Sequence, residues 1–155
     1  MKKVLSIVCA VCMAAMMVAC GSSAKEYDVN EVLSALNTAN PLGESREVTA
    51  DDVNLIMNIS SEMYEEFAGS IGSDEITGAM NLVIKAADGK TEDVKSALAT
   101  YQANQISVRA PYAADAAAVL EDGRLEVKGN YVVLSLGSSA DVYADVDTAI
   151  ADTFK

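Results

Sequence analysis

Histidine and tryptophan are absent from the 155 residues, and only three cysteines and two prolines occur. Without histidine the chain lacks the commonest general base and the commonest transition-metal ligand. Cys9 and Cys12 lie in an apolar run that Cys20 closes, so nothing after Cys20 can form a disulfide, a thiolate metal site or a thiol nucleophile. The lack of tryptophan weakens the case for an aromatic sugar-binding platform. Basic side chains are scarce as well: 11 Lys and Arg against 23 Asp and Glu give a formal net charge of −12. That balance repels phosphate backbones, and with no basic stripe to offset it, nucleic acid is not an expected partner.

What is present begins with a three-part N-terminus. Lys2 and Lys3 precede an almost wholly apolar stretch, Val4 to Ala19, followed by Cys20-Gly21-Ser22-Ser23. This is the layout of a secretory signal, and the run is shorter than the roughly 20 residues a spanning helix needs. Met17-Val18-Ala19-Cys20 resembles the bacterial lipobox, though that motif more usually starts with Leu. The cysteine is explained by chemistry, because only a thiol accepts the diacylglyceryl thioether. The expected organisation is a signal peptide over residues 1–19, a lipid-anchor cysteine and spacer over 20–27, and one domain over 28–155. The mature protein is expected on the extracytoplasmic face of the cell membrane, held by a lipid such as palmitate on Cys20. Two acyl chains anchor stably where one is marginal, at about 0.8 kcal/mol per buried methylene. Losing Lys2 and Lys3 takes the net charge from −12 to −14.

Within the domain, Asp28-Val29-Asn30-Glu31 reads as a helix start, with Val29, Val32, Leu33 and Leu36 at helical spacing until Asn40-Pro41-Leu42-Gly43. Thr49-Ala50-Asp51-Asp52 resembles an acidic cap, which favours a short helix there over the strand-like alternation of Val53, Leu55, Met57 and Ile59. Glu65 to Ile71 and Ala79 to Ala86 read as strands. In the second, Met80, Leu82, Ile84 and Ala86 share one face while Asn81 and Lys85 take the other. After the Asp88-Gly89 turn, Thr91-Glu92-Asp93 opens the longest helix, whose stripe is Val94, Leu98, Tyr101, Gln105 and Val108. Pro111 ends it, and a short alanine-rich helix follows before Leu120. Arg124–Val127 and Tyr131–Leu136, joined through Lys128-Gly129-Asn130, form the clearest hairpin. Val142, Val146, Ile150 and Phe154 then mark a closing amphipathic helix. The fold class is α+β: a small antiparallel sheet of about four strands, with its C-terminal hairpin, packed on a long helix and a C-terminal helix around one core.

The cysteine-terminated signal, the acid-capped helix at Asp28, the strand before Asp88-Gly89, the long helix and Gly129-Asn130-Tyr131 leading an apolar strand together resemble domain-of-unknown-function family 4358. Its members are short lipoproteins, mainly of Gram-positive anaerobes. The resemblance implies an α+β lipoprotein domain without a known activity, so it carries no functional residues across. It also implies an arginine near the middle of the long helix, a region that Tyr101 occupies here.

Only carboxylate clusters are left to hold site chemistry. Asp88, Glu92 and Asp93 could supply oxygen ligands, but the alternating pattern of a calcium loop is missing, and turn formation plus helix-dipole complementarity account for them. Asp141, Asp145 and Asp152 fit a solvated helix face, and Asp51-Asp52 and Asp74-Glu75 fit caps or loop charges. No metal or cofactor is expected. Among the tyrosines, Tyr101 belongs in the core, Tyr131 could face either side of its sheet, and Tyr64, Tyr112 and Tyr143 could line a surface. Ser60-Ser61 and Ser138-Ser139 have no histidine partner. These residues point to a non-enzymatic binding or accessory module at the cell envelope, recognising a protein, peptide or polymer through a sheet face or edge. The alternative is a carboxylate-dependent envelope hydrolase, which a pair of acids facing each other in a deep cleft would favour.

Overall fold

The computed structural model describes residues 25–155, so the signal, Cys20 and most of the spacer lie outside the described residues. Helix α1 (Val29–Ala39) starts where Asp28 Oδ1 accepts the Asn30 N–H at 2.7 Å, and it ends at Asn40. Strand β1 (Ser45–Glu47) comes next, followed by a single π-helical turn, Asp52–Ile56. The helical expectation after Thr49 holds in a wider-wound form. Val53, Met57 and Ile59 are buried while Leu55 and Ile56 are exposed, which neither a regular helix nor a strand would give.

Strands β2 (Tyr64–Gly72) and β3 (Met80–Ala86) lead into α2 (Thr91–Arg109). Lys90 occupies the cap position of α2 without a side-chain hydrogen bond, Thr91 is the first helical residue, and Glu92 and Asp93 make an acidic first turn. Pro111 separates α2 from α3 (Ala114–Glu121), as its missing N–H requires. The hairpin is β4 (Arg124–Lys128) and β5 (Tyr131–Leu136), with Lys128 opposite Tyr131. Gly129, at φ +63°, holds the first position of the two-residue turn, where a residue with a Cβ would be strained. A 3-10 turn (Ala140–Val142) then feeds α4 (Tyr143–Thr153).

The sheet is wholly antiparallel in the order β1-β2-β3-β5-β4. It has five strands where about four were expected, the extra one being β1. The larger difference lies in its faces. Met80, Leu82, Ile84 and Ala86 do share a face, packing with Val132, Leu134 and Leu136 against Val53 and Met57, α2 and Leu120 of α3. The opposite face is also covered. Ala68, Val83, Tyr131 and Val133 pack under Val29, Val32 and Leu36 of α1 and Val146 and Ile150 of α4. There are thus two cores on one sheet, which corrects the single core expected, and neither face is left free for a ligand.

Asn81 shows the consequence. It is fully buried beneath α1 and not solvated. Its Nδ2 donates to Asn37 Oδ1 at 2.9 Å and to the Asn40 carbonyl at 3.0 Å, and its Oδ1 accepts from Asn40 Nδ2 at 2.9 Å and Ser135 Oγ at 2.7 Å. Burying this amide would cost about 1–3 kcal/mol if it were unpaired, so the network fixes how α1 seats on the sheet.

Candidate functional site

The carboxylates singled out in the sequence do not converge. Glu92 and Asp93 pair with Lys95 and Lys90 at 4.0 and 3.1 Å, and Asp88 sits at a turn whose Gly89 has φ +73°. Asp152 pairs with Lys155 at 2.5 Å, and the Asp141 N–H donates to the capping Ser139 Oγ at 3.3 Å. Among the described residues no group of three His, Cys, Asp or Glu side chains is placed to hold a metal ion. Asp74 Oδ1 accepts the Ile76 N–H at 2.9 Å, a local loop bond.

Asp52 is the exception to the solvated pattern. It is buried and accepts four hydrogen bonds: from Arg46 Nη1 and Nη2 at 2.7 and 2.9 Å, and from Thr49 N and Oγ1 at 2.8 Å each. The Arg46 fork above all, with Thr49 adding to it against the opposing effect of burial, holds its carboxyl far below the usual 3.8. This arrangement joins β1 to the π turn, which is a structural task.

A cavity of about 660 Å³ opens at the N-terminal end of the described chain. Residues 26–30 form one wall, Tyr64 to Phe67 of β2 another, and Lys85 and Tyr131 the floor. Lys85 Nζ lies 2.8 Å from Glu65 and 3.3 Å from Glu26. Glu65 most strongly, then Glu26, hold the ammonium above its usual 10.5, against the opposing effect of burial. Tyr131 is buried on the sheet face covered by α1 and α4, packed with Val133 and Val146. Its hydroxyl accepts the Tyr27 N–H and donates to the Tyr27 carbonyl, both at 2.9 Å, so the last spacer residue is tied into the fold. The Tyr27 ring stands edge-on to Tyr131 at 5.6 Å and tilts against Phe154 at 4.8 Å. The cleft therefore combines aromatic rings, four carboxylates and one already paired cation.

A second cavity of about 300 Å³ lies between the β2–β3 loop and the end of α2. Here the expected α2 stripe fails after Tyr101: Val108 is exposed and Arg109 is buried in its place. Arg109 Nε donates to the Ile76 carbonyl at 3.0 Å, Nη2 to the Glu75 carbonyl at 2.9 Å and Nη1 to Gln105 Oε1 at 2.7 Å. The arginine of this helix that does structural work thus stands at its C-terminal end, beside Tyr101 in the same cavity and not in the middle of the helix. Tyr101 is buried as expected, and that burial raises its pKa. No spacing in the sequence marks Arg109 as buried; its position in the last turn of a helix reads as ordinary dipole complementarity.

A family model described as "Domain of unknown function (DUF4358)" matches residues 38–137. The matched stretch holds all five strands, α2 and α3, while most of α1 and all of α4, the layer over the second sheet face, lie outside it. No curated protein and no solved structure matches the chain.

Proposed function

Since the chain belongs to the DUF4358 family of domains of unknown function, we propose that it is a lipid-anchored extracytoplasmic binding or accessory module of the cell envelope. The observation that carries this reading is the cleft beside Tyr27. Only Gly21 to Ala24 separate Cys20 from the first described residue, Lys25. At about 3.3–3.6 Å per extended residue, such a tether keeps the cleft close to the headgroups, where its ligand is another envelope component.

The domain is read as non-catalytic. Glycoside hydrolysis by two carboxylates calls for one acid kept protonated in an apolar pocket. The two acids that meet in the cleft, Glu26 and Glu65, are 82% and 46% exposed and share the Lys85 ammonium between them. A ligand for this cleft is recognised, not turned over.

Two measurements test the proposal. Metabolic labelling with palmitate should mark the native protein and not Cys20→Ser, which should accumulate as unprocessed precursor; undiminished label in the variant overturns the anchor. The purified protein should turn over no ester, peptide or glycoside substrate. Turnover that vanishes on replacing a single Glu or Asp, with the fold intact, would establish the hydrolase instead.

A further inference from the structure

Strand β2 is nine residues long, but its partner on the outer side, β1, covers only Ser70 to Gly72 in register, with one further bond from the Val48 N–H to the Gly69 carbonyl at 2.9 Å. After Val48 the chain leaves the sheet for the π turn. Among the described residues no strand lies beside Tyr64 to Ala68 on that side. The Gly69 carbonyl points outward to Val48, so the two-residue period of a strand turns the Phe67 N–H and C=O outward too. Among the described residues neither group has a hydrogen-bond partner on that side.

This open stretch is flanked by space. The 660 Å³ cleft and a smaller one of about 160 Å³ both reach Phe67 and Asn30, so together they follow the edge of β2 between α1 and Val48. Carboxylates line the path: Glu26, Asp28, Glu65 and Glu66 along the first cleft and Glu47 along the second. Among the described residues Lys85 is the one cation in these walls, and Glu65 and Glu26 already hold it.

We propose that this edge captures an extended, basic peptide segment of an envelope protein by strand addition. The segment's backbone pairs with the Phe67 N–H and C=O, and its Lys or Arg side chains meet Glu47, Asp28 and Glu66. An unpaired edge is a ready template for a further strand, with main-chain bonds giving affinity and flanking side chains giving selectivity. The charge decides the occupant. A second copy of this chain would bring the same acidic edge, with Glu26, Asp28, Glu47, Glu65 and Glu66, close to its own duplicate, and crowding like charges opposes that pairing. This inference rests on the binding-module reading and gives it a partner chemistry.

The test uses the full lipidated protein in a nonionic detergent. Three labelled eight-residue peptides serve as probes: alternating Lys and Val, alternating Glu and Val, and the Lys-Val peptide N-methylated at alternate residues to block pairing along one edge. Binding is followed by fluorescence anisotropy, and amide exchange at Phe67 is followed by mass spectrometry. The Lys-Val peptide is expected to bind and slow Phe67 exchange, the N-methylated peptide to bind at least tenfold more weakly, and the Glu-Val peptide not to bind. Glu66→Lys, an exposed change, should weaken Lys-Val binding several-fold while leaving the thermal midpoint in place. No binding by the Lys-Val peptide, equal binding by its N-methylated form, or binding without protection at Phe67 overturns strand addition and leaves the module reading standing. Cleavage of the Lys-Val peptide into fragments overturns the module reading itself.

Discussion

Asp52→Asn isolates the ion pair that fastens β1 to the π turn. The wild-type carboxylate is buried and takes four hydrogen bonds, two from the Arg46 fork. Asparagine keeps one oxygen for Thr49 but loses the charge that engages Arg46. Hydrogen bonds to charged groups are worth about 1.5–3 kcal/mol, and because the Arg46 side chain is 54% exposed we take about 2 kcal/mol for the loss at pH 7. For a domain of this size that is a fall of roughly 7 °C in midpoint. The pH dependence gives a second, independent number. The folded-state pKa of Asp52 is depressed below its ordinary value of 3.8, so its stabilisation is fully present above that value and is lost as pH falls toward the folded pKa. At pH 3 protonation of the unfolded chain already removes about 1.2 kcal/mol of it, leaving a wild-type advantage of about 0.8 kcal/mol. Urea unfolding of both proteins at pH 7 and pH 3 measures the difference directly. A gap below about 0.5 kcal/mol at pH 7, or one of equal size at both pH values, would refute the assignment of Asp52 as a paired carboxylate.

Arg109→Ala should destabilise by about 2–3 kcal/mol, since it strands the Glu75 and Ile76 carbonyls, and it should raise protease sensitivity between residues 73 and 78. Gly78→Ala should also destabilise, by about 1–2 kcal/mol for φ +65° alone, and because a Cβ there would meet the Arg109 guanidinium, the double variant should lose less than the sum of the singles in a denaturation cycle. Tyr131→Phe removes both hydroxyl bonds to Tyr27; a loss of about 1 kcal/mol and faster amide exchange at Tyr27 are expected, with unchanged exchange there counting against the tie. A soluble form beginning near Tyr27 should hold its thermal midpoint in reductant and in EDTA, and a fall of more than about 5 °C with EDTA would reveal a metal site.

Elements marked by an apolar pattern or a turn-forming residue were readable from the chain alone. The hairpin follows from Gly129 and two apolar runs, the break after α2 from Pro111, and α4 from Val142, Val146, Ile150 and Phe154. β1 was not readable. Ser45, Arg46 and Glu47 are all exposed, have no apolar period, and form a strand only because β2 offers them a ladder. The open edge at Phe67 has no sequence signal for the same reason, since strand pairing partners leave no mark on the local pattern. One signal did exist for the second core: Tyr131 to Leu136 is apolar at every position but Ser135, and such a nearly continuous run belongs to a strand covered on both faces, as its burial at every position shows.

The sequence by itself determined most of the element types, the α+β class and the lack of any imidazole chemistry, because these depend on residue identity and spacing along the chain. Tertiary structure alone decided that α1 and α4 close over the second face and bury Asn81, that Arg109 turns inward to the carbonyls of a loop more than thirty residues away, and that β2 keeps one stretch of its edge unpaired. Each of these depends on which surfaces meet across long sequence separations, and a polar side chain is buried or solvated according to the partners it finds there.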